Sequence, residues 1–156
     1  MSPEIARRNE VMAAELVGAA RDVLNVMFFT DILEESERAG AERPPAIGVR
    51  VEFSGEAAGE FRMELDPGTA EAMAGSFLGT EVGTGVSELE VDQVMGELGN
   101  MVCGAFLSRF EQEGLFALSS PEVRRPAERG RSGVYRALVL EDGWMDLRVN
   151  WGPSAE

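Results

Sequence analysis

Ile47, Val49, Val51 and Phe53 alternate with Gly48, Arg50 and Glu52. A period of two sends the apolar side chains to one face of a strand and the polar ones to the other. A return run, Glu60 to Leu65, carries Phe61, Met63 and Leu65 on its apolar face, with the turn inside residues 54–59. A hairpin that is dry on one side only needs a cover on that side. Helical segments supply it. Val11, Ala14, Leu16, Ala19, Val23, Leu24 and Met27 recur at spacings near three and four after Pro3-Glu4. Asp66-Pro67 reads as an N-cap and first helical position of a shorter helix that ends at Gly79. Ser87 and Glu90 form a Ser-x-x-Glu capping box opening the longest helix, which the pattern carries to about Glu113, before Gly114.

The remaining segments complete the order. Residues 28–37 are open between helix end and strand, and 39–45 are a loop containing Gly40 and Pro44-Pro45. Residues 80–85 form another loop, and 115–123 a strand around Pro121. An Arg-, Pro- and Gly-rich loop spans 124–133. A second hairpin runs over 134–140 and 144–151, with Asp142-Gly143 as its turn. The class is α+β: two layers, a largely antiparallel sheet, and long helices on one face. The halves, residues 4–66 and 67–151, look alike. Glu15-Leu16 matches Glu97-Leu98 at an offset of 82, and the hairpins fall in corresponding places.

At 156 residues the chain is one domain by size. No apolar run approaches the roughly 20 residues of a membrane span, and the polar start Met1-Ser2-Pro3-Glu4 does not resemble a signal peptide. A cytoplasmic location is the expectation. The net charge of −14 argues against nucleic-acid binding and against docking on anionic lipid. His is absent, and all 14 basic residues are Arg. Coding bias towards Arg accounts for the missing Lys without a selected role. The consequence is chemical either way: there is no Ser-His or Cys-His pair, no His-containing zinc site, no Schiff base and no P-loop lysine. The lone Cys103 cannot form an internal disulfide or a thiolate cage, and reads as a packing residue. Trp144 and Trp151 read as core or interface, Arg124, Arg125, Arg129 and Arg131 as a solvated basic loop, and Glu34-Glu35 as non-catalytic.

In the long helix, Val94, Met95, Leu98, Met101, Val102, Ala105 and Phe106 share one side. At about 100° per residue, Glu97, Asn100, Gly104 and Leu107 fall on the other side or its flank. Glu97 and Asn100, at i and i+3, are surface neighbours. Gly96, Gly99 and Gly104 each disfavour the helix by about 0.5–1 kcal/mol relative to Ala. Close approach of another backbone explains them, and two readings stand: packing on the sheet beneath, or entry of a partner. The polar pair likewise reads either as a solvated surface or as a site.

The run Gly96-Glu97-Leu98-Gly99-Asn100-Met101, followed by Gly104, resembles the signature helix of the CheX/CheC/FliY family of chemotaxis phosphatases, and is most like CheX. The helix from Pro67, its Phe77-Leu78-Gly79 end and the 54–65 hairpin extend the resemblance over roughly residues 10–150. Gln93, with Asp92 beside it, stands where the family often has an acidic residue or Ser, and Pro121 comes slightly early. The first half offers Glu15-x-x-Gly18, without the Asn, so one site per chain is expected. The resemblance implies a CheC-like fold with two similar halves. It also implies hydrolysis of the phosphoryl-aspartate on a CheY-like receiver. Asn100 would position the attacking water, a task a Gln performs in GTPases, and Glu97 would bind the receiver's Lys. Gly96, Gly99, Gly104 and Gln93 would meet the partner. Mg2+ would come from the receiver, with no metal on this chain. A homodimer is expected too, with the edges of the 134–151 hairpin as one route. The competing readings are a receiver- or motor-binding module without catalysis, and a purely structural protein.

Overall fold

The computed structural model describes residues 2–37, 46–80, 85–128 and 132–152. The first helix, α1 (Pro3–Phe28), starts where the Ser2 hydroxyl accepts from the Ile5 N–H at 3.2 Å. It buries Met12, Leu16, Ala20 and Leu24. It stops at Phe29, which adopts the left-handed region at φ 53° and donates its N–H to the Leu24 carbonyl. The open segment 28–37 therefore divides into a helix end and a strand, β1 (Ile32–Ser36). Most of the loop expected over 39–45 and 80–85, and part of the 124–133 loop, lies outside the described residues.

The first hairpin is β2 (Ile47–Gly55) and β3 (Gly59–Leu65), with the inward and outward residues that the alternation predicts. Next come α2 (Pro67–Leu78) and α3 (Glu88–Phe110), the latter ending three residues before the expected Glu113. The expected strand at 115–123 is two short ones, β4 (Phe116–Leu118) and β5 (Glu122–Arg124), which pair with separate stretches of β2. Pro121 lies in the break and, lacking an N–H, cannot continue a ladder. The second hairpin is β6 (Val134–Leu140) and β7 (Gly143–Trp151).

Among the described residues the seven strands form one sheet, in the order β1-β6-β7-β3-β2-β4, with β5 also on β2. Every pairing is antiparallel. The order is unchanged when the halves are exchanged: β3 and β7 meet at the centre, β1 flanks the later hairpin, and β4 with β5 flank the earlier one. The 134–151 hairpin thus lies inside the sheet, with β7 paired to β3 along its length and β6 paired to β1 over Ala137–Leu140. The outermost strands are β1 on one side and β4 with β5 on the other. No helix among the described residues is long and apolar enough to cross a membrane.

The three helices cover the apolar face of the sheet. Val49, Val51, Phe61, Met63, Leu147 and Val149 are buried beneath them with Leu16, Leu98 and Phe106. Trp151 closes one end of this core. Its ring lies 5.1 Å from Phe110 and 5.3 Å from Phe53, and the Arg8 guanidinium covers it at 5.5 Å. Leu107, expected on the outer flank of α3, is also buried.

Two of the α3 glycines are explained by this packing. A Cβ on Gly99 would stand 2.6 Å from Val49 Cγ1, and one on Gly96 would stand 3.1 Å from Pro121 Cγ. Gly104 differs, because its nearest neighbour, Leu118 Cδ1, is 3.9 Å away. Gly99→Ala should therefore lower stability by about 1–2 kcal/mol, overpacking outweighing the gain in helix propensity. Gly104→Ala should raise it by about 0.5–1 kcal/mol. Urea denaturation reads both, and shifts of the same sign would contradict this packing. Phe29 is 79% exposed, so it strains the backbone while burying little. Phe29→Gly should raise the melting temperature, by an amount equivalent to about 0.5–1 kcal/mol.

Candidate functional site on helix α3

The capping box at the start of α3 is complete. The Ser87 hydroxyl accepts from the Glu90 N–H at 3.1 Å, and the Glu90 carboxylate accepts from the Ser87 N–H at 2.9 Å. The bond from the Ser87 N–H, with the Ser87 side chain adding to it, holds the Glu90 carboxyl below its ordinary range. One turn on, Asp92 accepts two bonds from Arg125, at 3.0 and 2.7 Å to one oxygen. Part of the basic loop is therefore a strap from beyond β5 to the first half of α3. Arg124 pairs with Glu122 and Glu128. Arg129 and Arg131 lie outside the described residues.

From this anchored start the outer face of α3 runs through Glu90, Gln93, Glu97, Asn100 and Gly104, in steps of three and four. Gln93 and Glu97 are exposed, and Asn100 and Gly104 are half-buried. Between α2 and α3 an open groove of about 240 Å³ is lined by Phe77, Leu78, Glu90, Gln93, Val94 and Glu97. Its apolar wall comes from the end of α2, which the sequence marked only as a helix terminus. Phe77 is braced from behind by Phe28, the two rings stacked 5.0 Å apart. Leu78 is 44% exposed, so the groove presents apolar surface beside two carboxylates.

Asn100 is the unusual member of the stripe. Its Oδ1 is covered yet has no hydrogen-bond partner among the described residues. A buried acceptor left unpaired costs about 1–3 kcal/mol. Its oxygen accepts nothing from the described chain, so turning that oxygen towards a ligand gives up no hydrogen bond to it. Glu97, one turn earlier, stands in solvent.

The residues expected at the site thus separate into two groups. Glu97, Asn100 and Gln93 share the outer face, with Gly104 at its end. Gly96 and Gly99 are buried against Pro121, Val49 and Val51, so for these two the sheet-packing reading holds and they have no surface to offer a partner. Pro121, early in the chain relative to the family habit, sits against the back of α3 at Gly96. Cys103 is fully buried, and burial pushes its thiol up to about 12, so it is no nucleophile at neutral pH. Groove residues Phe77 and Leu78 were missed as site residues, because a helix-end hydrophobe reads as core until its exposure is known.

The sequence model of the family described as chemotaxis phosphatase CheX matches residues 47–133 of the chain. Among curated protein sequences none matches it. Solved structures of similar fold include CheX of Borrelia burgdorferi in a complex with CheY, BeF3 and Mg2+. That chain is 19% identical, with 90% of this chain and 97% of that one covered, at a TM-score of 0.71. The chemotaxis protein CheX of Vibrio vulnificus is 20% identical, covering 90% and 95%, at 0.72. FliY of Thermotoga maritima is 14% identical, covering 99% and 92%, at 0.65. At these identities the structures establish the fold, a mixed helix and antiparallel-sheet architecture. The family model covers more than half of the chain and includes the whole of α3, so the protein belongs to the CheX family of chemotaxis phosphatases.

Proposed function

We propose that this chain hydrolyses the phosphoryl-aspartate of a CheY-like receiver domain, with Asn100 positioning the attacking water and Glu97 gripping the receiver. The observation that carries the reading is the pair itself. A half-buried amide with a covered, unpaired oxygen and an exposed carboxylate lie one turn apart on a helix whose back is fixed to the sheet. The Borrelia relative, solved with CheY, BeF3 and Mg2+, supports a receiver as the partner.

The chemistry asks little of the protein. An acyl phosphate is already reactive, and the receiver supplies Mg2+, which neutralises charge developing on the phosphoryl oxygens. The missing component is a water held in line with the leaving oxygen. The Asn100 amide can accept from that water and donate to a phosphoryl oxygen without changing protonation state. Glu97 pairs with the receiver's Lys and sets the register in which Asn100 enters. Gln93 and the exposed wall at Leu78 extend the contact along the groove. A receiver substrate places the chain in the cytoplasm.

Asn100→Ala should reduce dephosphorylation of a phosphorylated receiver by about 100-fold or more, the scale of lost positioning. Its receiver affinity should stay within about threefold of wild type, since the change removes less than one kcal/mol of binding. Glu97→Ala should weaken binding by about tenfold and slow turnover with it. Hydrolysis at the wild-type rate by Asn100→Ala would defeat the mechanism. A module that only docks uses the same surface, so the wild-type chain is tested with receiver in excess. Release of many phosphates per chain is expected, and binding without release would leave docking as the function.

A further inference from the structure

The helix α1 carries a counterpart of the α3 site. At the offset of 82, Glu15 corresponds to Glu97, Gly18 to Asn100 and Asp22 to Gly104. The sheet order is unchanged by exchange of the halves, so the correspondence is one of position in the fold as well as of sequence. The two faces are not equally open. Glu97 stands in solvent, whereas Glu15 is paired with Arg109, whose Nη2 lies 3.5 Å from its carboxylate. Arg109 Nη1 reaches Asp22 at 2.8 Å. Between these two contacts the guanidinium passes over Gly18, and a Cβ there would stand 2.4 Å from Nη2 and 2.8 Å from Cζ. The guanidinium therefore fills the space in which a side chain at position 18 would begin. Arg109 Nε is covered and has no partner among the described residues. An arginine seated only for ion pairing on a surface would leave that donor in water.

We propose that Arg109 is an internal plug. It places on Glu15 the cation that a receiver's Lys places on Glu97, and so closes a second receiver-docking face on α1. This rests on the proposed function, since the closed face is defined by the partner that the open one takes. The missing amide and the added cation act together: Gly18 makes room for Arg109, and Arg109 keeps α1 from docking. Under the same offset, Arg109 corresponds to Met27, which carries no charge.

The test counts receivers per chain. The probe is a CheY-like receiver domain in its beryllofluoride–Mg2+ form, titrated calorimetrically into the full chain. Wild type should take one receiver, and the double variant Gly18→Asn with Arg109→Ala should take two. Arg109→Lys, which keeps the cation, should stay at one. In an Asn100→Ala background the double substitution should restore hydrolysis to at least tenfold above that background. If wild type takes one receiver and the folded double variant also takes one, the plug is wrong while the proposed function stands. If wild type takes none, the proposed function falls and the plug with it. Should the double variant fail to fold, Arg109→Ala alone decides: a second, weaker receiver site is expected, and a count still at one overturns the proposal.

Discussion

The contact on which the candidate site depends is the seating of α3 on β2. At Gly99 the helix backbone comes close enough for Val49 Cγ1 to occupy the space of a Cβ, with Val51 beside it. At Gly96 the same is nearly true of Pro121. A residue with a Cβ at position 99 would have to push the helix away from the strand. Here the inner and outer roles are interleaved along five residues: Gly96 in, Glu97 out, Leu98 in, Gly99 in, Asn100 on the flank. A bulkier residue at either glycine would lift or roll the helix and carry the polar pair with it. The capping box and the Arg125–Asp92 strap fix the other end of the same element. Sites built on a helix braced in this way hold their geometry better than sites on loops.

The sheet ties the two halves into one core. Each half lends its leading strands to the other's hairpin, β1 to β6 and β4 with β5 to β2. The halves share one core through β3 and β7 at the centre and through α1 against α3. On this symmetric frame the chemistry is asymmetric. α3 presents an exposed carboxylate and a half-free amide, whereas α1 presents a carboxylate already paired and a glycine already covered. The outer face of the sheet plays no comparable part. Its rows alternate, Arg50–Arg62–Arg148 between rows carrying Glu52–Glu60 and Glu64–Asp146, so each cation has carboxylates near it. Arg50 bonds Glu52 and Glu60, and Arg62 bonds Glu60. Acid is in excess in the chain as a whole, and Arg50 and Arg62 are paired within it.

Local periodicity made the elements legible. The alternation at Ile47–Phe53, the Ser87–Glu90 box and the helix-ending Gly79 needed nothing beyond their neighbours, and each is where the sequence places it. The misread positions are those decided by distant parts of the chain. The strand at 115–123 divides because β2 accepts its two ends separately, and α3 ends early at Phe110, whose ring packs on Trp151 more than forty residues later. The glycines of α3 show the same limit. Their number signals a close approach, but only the fold reveals that Gly96 and Gly99 meet the sheet while Gly104 remains open. The polar pair itself was visible in the sequence as surface neighbours. The groove beside it was not, since its wall comes from α2 through the packing of Phe77 on Phe28. Arg109 was invisible as a neighbour of Gly18, because the two are 91 positions apart and no local pattern joins them.

Charge gives the division of labour between the two site residues a physical basis. An acidic chain that approaches a phosphorylated, metal-bearing aspartate meets repulsion wherever carboxylate faces phosphate, and such like-charge contacts are strong where water is excluded. The stripe on α3 carries carboxylates at Glu90 and Glu97 and then becomes neutral at Asn100 and Gly104. In the proposed reaction the neutral end is the part that enters, and the charged part stays outside, against a cation. An aspartate at position 100 would keep the shape and lose the entry. An arginine there would attract the phosphate but could not accept a hydrogen bond from the water. An amide is the side chain of this size that offers a donor to the phosphoryl oxygen and an acceptor to the water with no net charge. The same reasoning applies to α1, where the plug is a cation because Glu15 and Asp22 already supply the anions.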